Sequence, residues 1–112
     1  MKLPNANGAV VAQAKIRDYL LNPAHPDNGG KAAFFISLGF DREGAAVLAD
    51  SFKELARHAD VSAKLDSPHG QKYVLDGCLG SPSGRSATIR TIWIVDRGED
   101  IPRLVTAYPH EE

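Results

Sequence analysis

The chain has 112 residues, of which 43% are hydrophobic and 24% charged, and its formal charge is −1. That length suits a single domain spanning residues 1–112, whose core buries ~60–70% of the unfolded surface without disulfide or metal staples. The balance excludes a disordered tail, a collagen-like fibre and a coiled-coil rod. The near-zero charge excludes a sequence-blind polyanion binder, so any contact with nucleic acid must come from a local patch.

Helices come first. Ala12, Ile16, Tyr19 and Leu20 recur at three- and four-residue spacing, which marks one helix face. Asn22-Pro23 ends it, because proline cannot donate the next hydrogen bond and disfavours helical geometry in its predecessor. Pro23 to Gly30 is a loop of turn formers, and Lys31–Leu38 reads as a short helix packing Phe34, Phe35 and Leu38. Gly39 stands where a left-handed helix end belongs. Asp41 suits an N-cap, Glu43 a first turn, and Leu48, Phe52, Leu55 and Ala59 form a stripe that predicts a helix over 42–59. Its other face carries Asp50, Lys53, Glu54, Arg57 and His58, a solvated mixture of both signs.

The period then drops to two. Val61, Ala63 and Leu65 alternate with Ser62, Lys64 and Asp66, and Tyr73, Leu75, Gly77 and Leu79 mark the next strand. His69, in Pro68-His69-Gly70, reads as a hairpin-turn residue. Ser81-Pro82-Ser83-Gly84 has the proline and glycine of a type I turn. Arg85 to Asp96 is rich in β-branched residues and reads as a long strand. Arg97 to Asp100 turns the chain, and Arg103 to Tyr108 is the last strand. The expected fold class is α+β: N-terminal helices (about 10–59) on one face of a C-terminal antiparallel sheet of about four strands, a β-meander over about 61–109.

Few chemistry motifs appear. Cys78 is the single cysteine, so no internal disulfide and no cysteine pair for a metal exists. His25, His58, His69 and His110 lack metal-ligand spacing, and Gly29-Gly30-Lys31 lacks the rest of a phosphate loop, so no metal and no cofactor is expected. The start, Met1 to Ala6, lacks the apolar stretch of a signal peptide, and no apolar run approaches the ~18 residues of a membrane span. A cytoplasmic protein without membrane contact is the expectation. Strand alternation puts Ile89, Thr91, Trp93 and Val95 on one side and Thr88, Arg90, Ile92 and Ile94 on the other, and sets Leu104, Thr106 and Tyr108 opposite Arg103, Val105 and Ala107. With helices over Trp93, the open side gathers Arg90, Thr88, Thr106 and Tyr108. A guanidinium beside hydroxyls suits a phosphodiester. His25 and Lys31 flank the glycine-rich loop, where a histidine suits proton transfer.

Several phrases carry a family resemblance: Leu3-Pro4-Asn5-Ala6, Arg17 to Pro23 with His25-Pro26 and Lys31-Ala32, and Phe34-Phe35 with Leu38-Gly39-Phe40. Gly84-Arg85, Ile89 to Ile94 and Pro102 to Pro109 belong with them. Together they resemble a small bacterial family of unknown function, whose members occur alone or at toxin C-termini, often beside a gene for a small SH3-like protein. The element order also looks like the barnase–EndoU–colicin–RelE group of ribonuclease toxins. These resemblances imply a metal-independent ribonuclease of a toxin–antitoxin type pair, cleaving RNA by transphosphorylation. On that analogy Arg90 stabilises the phosphorane, Thr106 and Tyr108 orient the phosphate, and His25 or Lys31 acts at the reacting oxygens. The implied partners are a small cognate antitoxin or neighbouring-gene protein and a structured RNA, such as tRNA or a ribosome-bound one. The alternative is a non-catalytic protein-interaction module, with Pro102 to Pro109 as an exposed edge strand.

Overall fold

Four strands follow one another in space as they do in sequence. β1 (Val61–Ser67), β2 (Gly70–Gly80), β3 (Ser86–Asp96) and β4 (Arg103–Pro109) form one sheet in the order β1-β2-β3-β4, each neighbouring pair antiparallel. The structure, a computed structural model, describes residues 1–22, 24, 31–41 and 43–110. Helices occupy the N-terminal half, giving the expected α+β arrangement. A 3₁₀ turn (Ala6–Gly8) precedes α1 (Gln13–Lys15), which runs on as a π-helical turn (Ile16–Leu20); α2 (Lys31–Ser37) and α3 (Ala45–His58) complete the layer. No described helix is long and apolar enough to cross a membrane.

The core lies between helices and sheet. Ile16, Leu20, Leu21, Phe35, Leu48 and Phe52 meet Leu75, Leu79, Ile89 and Trp93, all buried. Phe35 and Phe52 pack edge to face, with ring centroids 5.8 Å apart. The π turn closes with Leu21 N–H donating to Ile16 C=O at 2.8 Å, and this wider turn brings Leu21 inward beside Ile16 and Leu20. Ala12, expected on that face, is instead the exposed residue that starts the helix. Thr91 is the one buried polar residue among the described residues. Its hydroxyl accepts from Trp93 Nε1 at 2.8 Å and donates to Leu75 C=O at 3.1 Å, so the tryptophan is fully satisfied inside the core.

Two sequence expectations shift. The main helix starts at Ala45, later than the expected 42. Asp41 Oδ1 accepts the Gly44 N–H at 2.6 Å, and the Asp41 carbonyl takes the same donor at 3.1 Å. Asp41 therefore closes a turn ahead of the helix, and Glu43 sits exposed in that turn. In β4, strict alternation fails. Ile92 pairs with Thr106 and Trp93 with Leu104, leaving Val105 as a bulge. Leu104 and Ala107 thus both face the core, while Thr106 and Tyr108 register with Ile92 and Arg90 on the other side. Gly39 takes the left-handed conformation (φ +101°) after α2, as its position implied.

Candidate functional site

Arg90 lies at the centre of the sheet's helix-free face. Counting outward from the Ser81–Gly84 turn, β2 pairs Asp76 with Arg90, and β4 pairs Tyr108 with the same residue. The guanidinium grips Asp76 as a fork, Nε to Oδ1 at 2.7 Å and Nη2 to Oδ2 at 2.9 Å. His110 closes the group: its Nε2 is 3.3 Å from Arg90 Nη2 and 3.8 Å from Asp76 Oδ2. These hydrogen bonds to Asp76, with the Tyr108 oxygen acting in the same sense, hold Arg90 charged well above the ordinary arginine range. In return the Arg90 hydrogen bonds hold the Asp76 carboxyl below its usual range, against the opposing effect of partial burial.

Lys31, the first residue of α2, joins this group from the β4 edge. Its ammonium donates to Thr106 Oγ1 at 3.0 Å and to Tyr19 Oη at 2.9 Å. It also lies 5.1 Å from the centroid of the Tyr19 ring and 5.7 Å from that of Tyr108. Among the described residues no carboxylate shares it. A half-buried cation whose hydrogen-bond partners are neutral hydroxyls retains its attraction for an anion.

Arg90, Thr106, Tyr108 and Lys31 therefore come together, linked through Tyr108. His25 lies outside the described residues. Thr88 shares the face but points to solvent, its carbonyl accepting the His110 N–H at 3.1 Å. Sequence reasoning missed Asp76, His110 and Tyr19. The hairpin count that pairs Gly80 with Ser86 would have found Asp76. Continuing the alternation two residues past Tyr108 would have found His110, which reads as tail in the sequence. Tyr19 looked like core because it shares a helical stripe with Ile16, yet its hydroxyl reaches the rim. Among the described residues no three His, Cys, Asp or Glu side chains are grouped to hold a metal ion.

Two cations, one of them held by the Asp76 carboxylate, with three hydroxyls and a histidine, form a cluster that can bind a phosphate through Lys31 and handle a proton. The comparisons bear on the fold and the family. A search of curated proteins found no match. One solved chain, from the structure described as "Contact-dependent growth inhibition toxin - immunity protein complex from Klebsiella pneumoniae 342", superimposes with a TM-score of 0.73 at 23% identity. The alignment covers 96% of this chain and 98% of that one, and at this identity it speaks for a shared fold. The family model described as Domain of unknown function (DUF6883) matches residues 2–111, and the chain belongs to that family.

Proposed function

We propose that this domain is a toxin-like ribonuclease that needs no metal, acts on structured RNA in the cytoplasm and is held in check by a small cognate partner protein. The observation that carries this reading is Lys31, a cation set between two tyrosine rings and bonded, among the described residues, to neutral hydroxyls alone, one strand away from a second cation at Arg90. The similarity to one chain of a toxin–immunity complex over nearly the full length of both supports it, as does the resemblance to domains at toxin C-termini beside a small SH3-like partner gene.

In the proposed reaction a ribose 2′-oxygen bonds to the adjacent phosphorus while the P–O5′ bond breaks. The products are a 2′,3′-cyclic phosphate and a 5′-hydroxyl. One proton leaves the 2′-hydroxyl and one reaches the departing 5′-oxygen. Lys31 and Arg90 offset the charge that develops on the phosphorane oxygens. Thr106 and Tyr108 orient the phosphate. His110, beside Arg90, is suited to one proton transfer, and His25 keeps the second. The formal charge of −1 disfavours indiscriminate RNA binding and favours a folded target, tRNA or a ribosome-bound RNA, read by shape.

The test is induced expression of the domain in bacteria, alone and with Lys31→Met, following growth and total RNA on gels. Arrest with RNA fragments bearing cyclic phosphate ends, lost in the variant, supports the reading. Intact growth and RNA with folded wild-type protein overturns it. A non-catalytic partner domain is the second reading, favoured by Asp76, which already occupies two donors of Arg90.

A further inference from the structure

The sheet edges are treated unequally. At β4, Val10 bridges to Arg103, its N–H donating to Pro102 C=O at 2.9 Å and its C=O accepting from Leu104 N–H at 3.0 Å. The N-terminal segment thus covers the start of the strand that the sequence presented as an open edge. The outer edge of β1 carries the usual protections, a bulge between Val61 and Ala63 and the exposed charges of Lys64 and Asp66. β2 is different. β1 pairs with it only from Gly70 to Leu75, so Asp76–Gly80 has β3 on one side and no strand, among the described residues, on the other.

Two side-chain hydrogen bonds fix which way that main chain faces. Ser62 Oγ, from the β1 side, donates to Val74 C=O at 3.1 Å, and Thr91 Oγ1, from the β3 side, donates to Leu75 C=O at 3.1 Å. β2 stays in unbroken register with β3 to Gly80. Alternation therefore turns the N–H and C=O of Asp76, Cys78 and Gly80 toward the open edge. This edge borders a groove of about 660 Å³ whose opposite wall is α3. Val47, Asp50, Glu54 and Leu55 line it from the helix, and Cys78 and Gly80 from the strand. His58 also lines the groove and, with Arg57, holds both carboxylate oxygens of Glu54, so Asp50 is the carboxylate there without an ion-pair partner among the described residues, and Val47 leaves half its surface in solvent.

We propose that the groove receives an extended segment of a partner protein, which adds a fifth strand against Asp76–Gly80. Main-chain hydrogen bonds supply its affinity. The partner's helix-facing side chains, every second residue, are apolar where they meet Val47 and Leu55 and basic where they meet Asp50. The surface lies across β2 from Arg90, and the proposal stands whether or not the domain cleaves RNA.

The direct test uses the full chain and a fluorescein-labelled synthetic peptide, Lys-Thr-Val-Thr-Lys-Thr-Val, capped at both ends. A control peptide carries Glu in place of Lys. Binding is read by anisotropy and by the rate at which Cys78, the single and exposed cysteine, reacts with a disulfide reagent. The expected result is at least tenfold slower Cys78 reaction at saturating Lys peptide, and at least tenfold weaker binding of the Glu peptide. Gly80→Pro deletes one outward N–H without touching the β3 ladder and should weaken binding about tenfold. Asp50→Lys, on the exposed helix surface, should weaken it about fivefold, which keeps the test valid if the proline variant misfolds. Unprotected Cys78, or equal binding of both peptides, overturns the proposal. So does a concentration-dependent dimer that Gly80→Pro abolishes, since the occupant is then a second copy of this chain. Because the readouts involve no RNA, a failed ribonuclease assay leaves them unaffected.

Discussion

Lys31 and Thr106 are joined by a 3.0 Å hydrogen bond across 75 positions of sequence. The bond ties the first turn of α2 to the edge strand, and it depends on the β4 bulge that puts Thr106 in register with Ile92 while Leu104 stays in the core. If the cluster binds the phosphorane, Lys31→Met should lower the RNA cleavage rate by about 10²–10³-fold, the typical loss for one preorganised charge donor. Lys31→Arg should retain part of the rate. Initial rates on purified tRNA, with circular dichroism to confirm folding, decide the matter. Equal rates for wild type and Lys31→Met would remove Lys31 from the chemistry.

The Arg90–Asp76 pair makes a prediction about acid. Hydrogen bonds from Arg90 hold the Asp76 carboxyl below its ordinary value in the folded state. A group depressed on folding adds stability that is present above its unfolded pKa, ~3.9 for aspartate, and is lost as pH falls through the folded value. Asp76→Asn should therefore be less stable than wild type at pH 7, with the two converging below about pH 4. Urea unfolding midpoints taken at intervals from pH 7 to pH 2 give the comparison. Parallel curves across that range would mean that the pair contributes nothing to folding.

Much of this fold was legible because periodicity changes cleanly near residue 60. The stripe Leu48, Phe52, Leu55 and the run through Ile89, Thr91 and Trp93 bury the faces they imply, while Ala59, expected to continue the stripe, is the half-buried residue that ends the helix. Arg90, Thr106 and Tyr108 were found for the same reason, since alternation and hairpin order put them on one surface. Val105 was not legible as a bulge, because an extra residue in a strand leaves no mark in hydrophobicity when its neighbours are also β-formers. Asp41 looked like the cap of α3, yet a short aspartate can close a turn upstream of a helix as readily as start one. Asp76 and His110 were hidden by their surroundings, one between a leucine and a glycine, the other beyond a proline.

Thr91 offers a stability test independent of function. Its hydroxyl serves both the Trp93 indole N–H and the Leu75 carbonyl inside the core. Thr91→Val keeps the shape but strands a buried donor and acceptor, at a cost of about 1–3 kcal/mol. Trp93 is the only tryptophan, so its fluorescence reports denaturant unfolding directly. Thr91→Ser, which restores the hydroxyl and removes a methyl, should recover most of the indole hydrogen bond. A valine variant as stable as wild type would show that the buried pair of bonds is energetically neutral.

Gly70 is the strictest backbone position in the sheet. It ends the tight Pro68-His69 turn between β1 and β2, with a φ of +151° that side-chain-bearing residues rarely adopt. It also lies flat against β3, where it pairs with Asp96. A Cβ there would stand 2.2 Å from Val95 O and 2.9 Å from Asp96 Cα, and both obstacles are backbone that cannot swing aside. Gly70→Ala must therefore distort either the turn or the β2–β3 ladder. The backbone strain alone costs about 1–3 kcal/mol, and the contact with Val95 adds to it. The lost ladder would disturb Arg97 as well, whose N–H donates to His69 C=O at 2.9 Å. Hydrogen exchange should show faster exchange of the Arg97 amide in Gly70→Ala, together with a lower unfolding midpoint. Unchanged exchange and an unchanged midpoint would mean that the hairpin takes up an alanine without moving, which the 2.2 Å approach forbids.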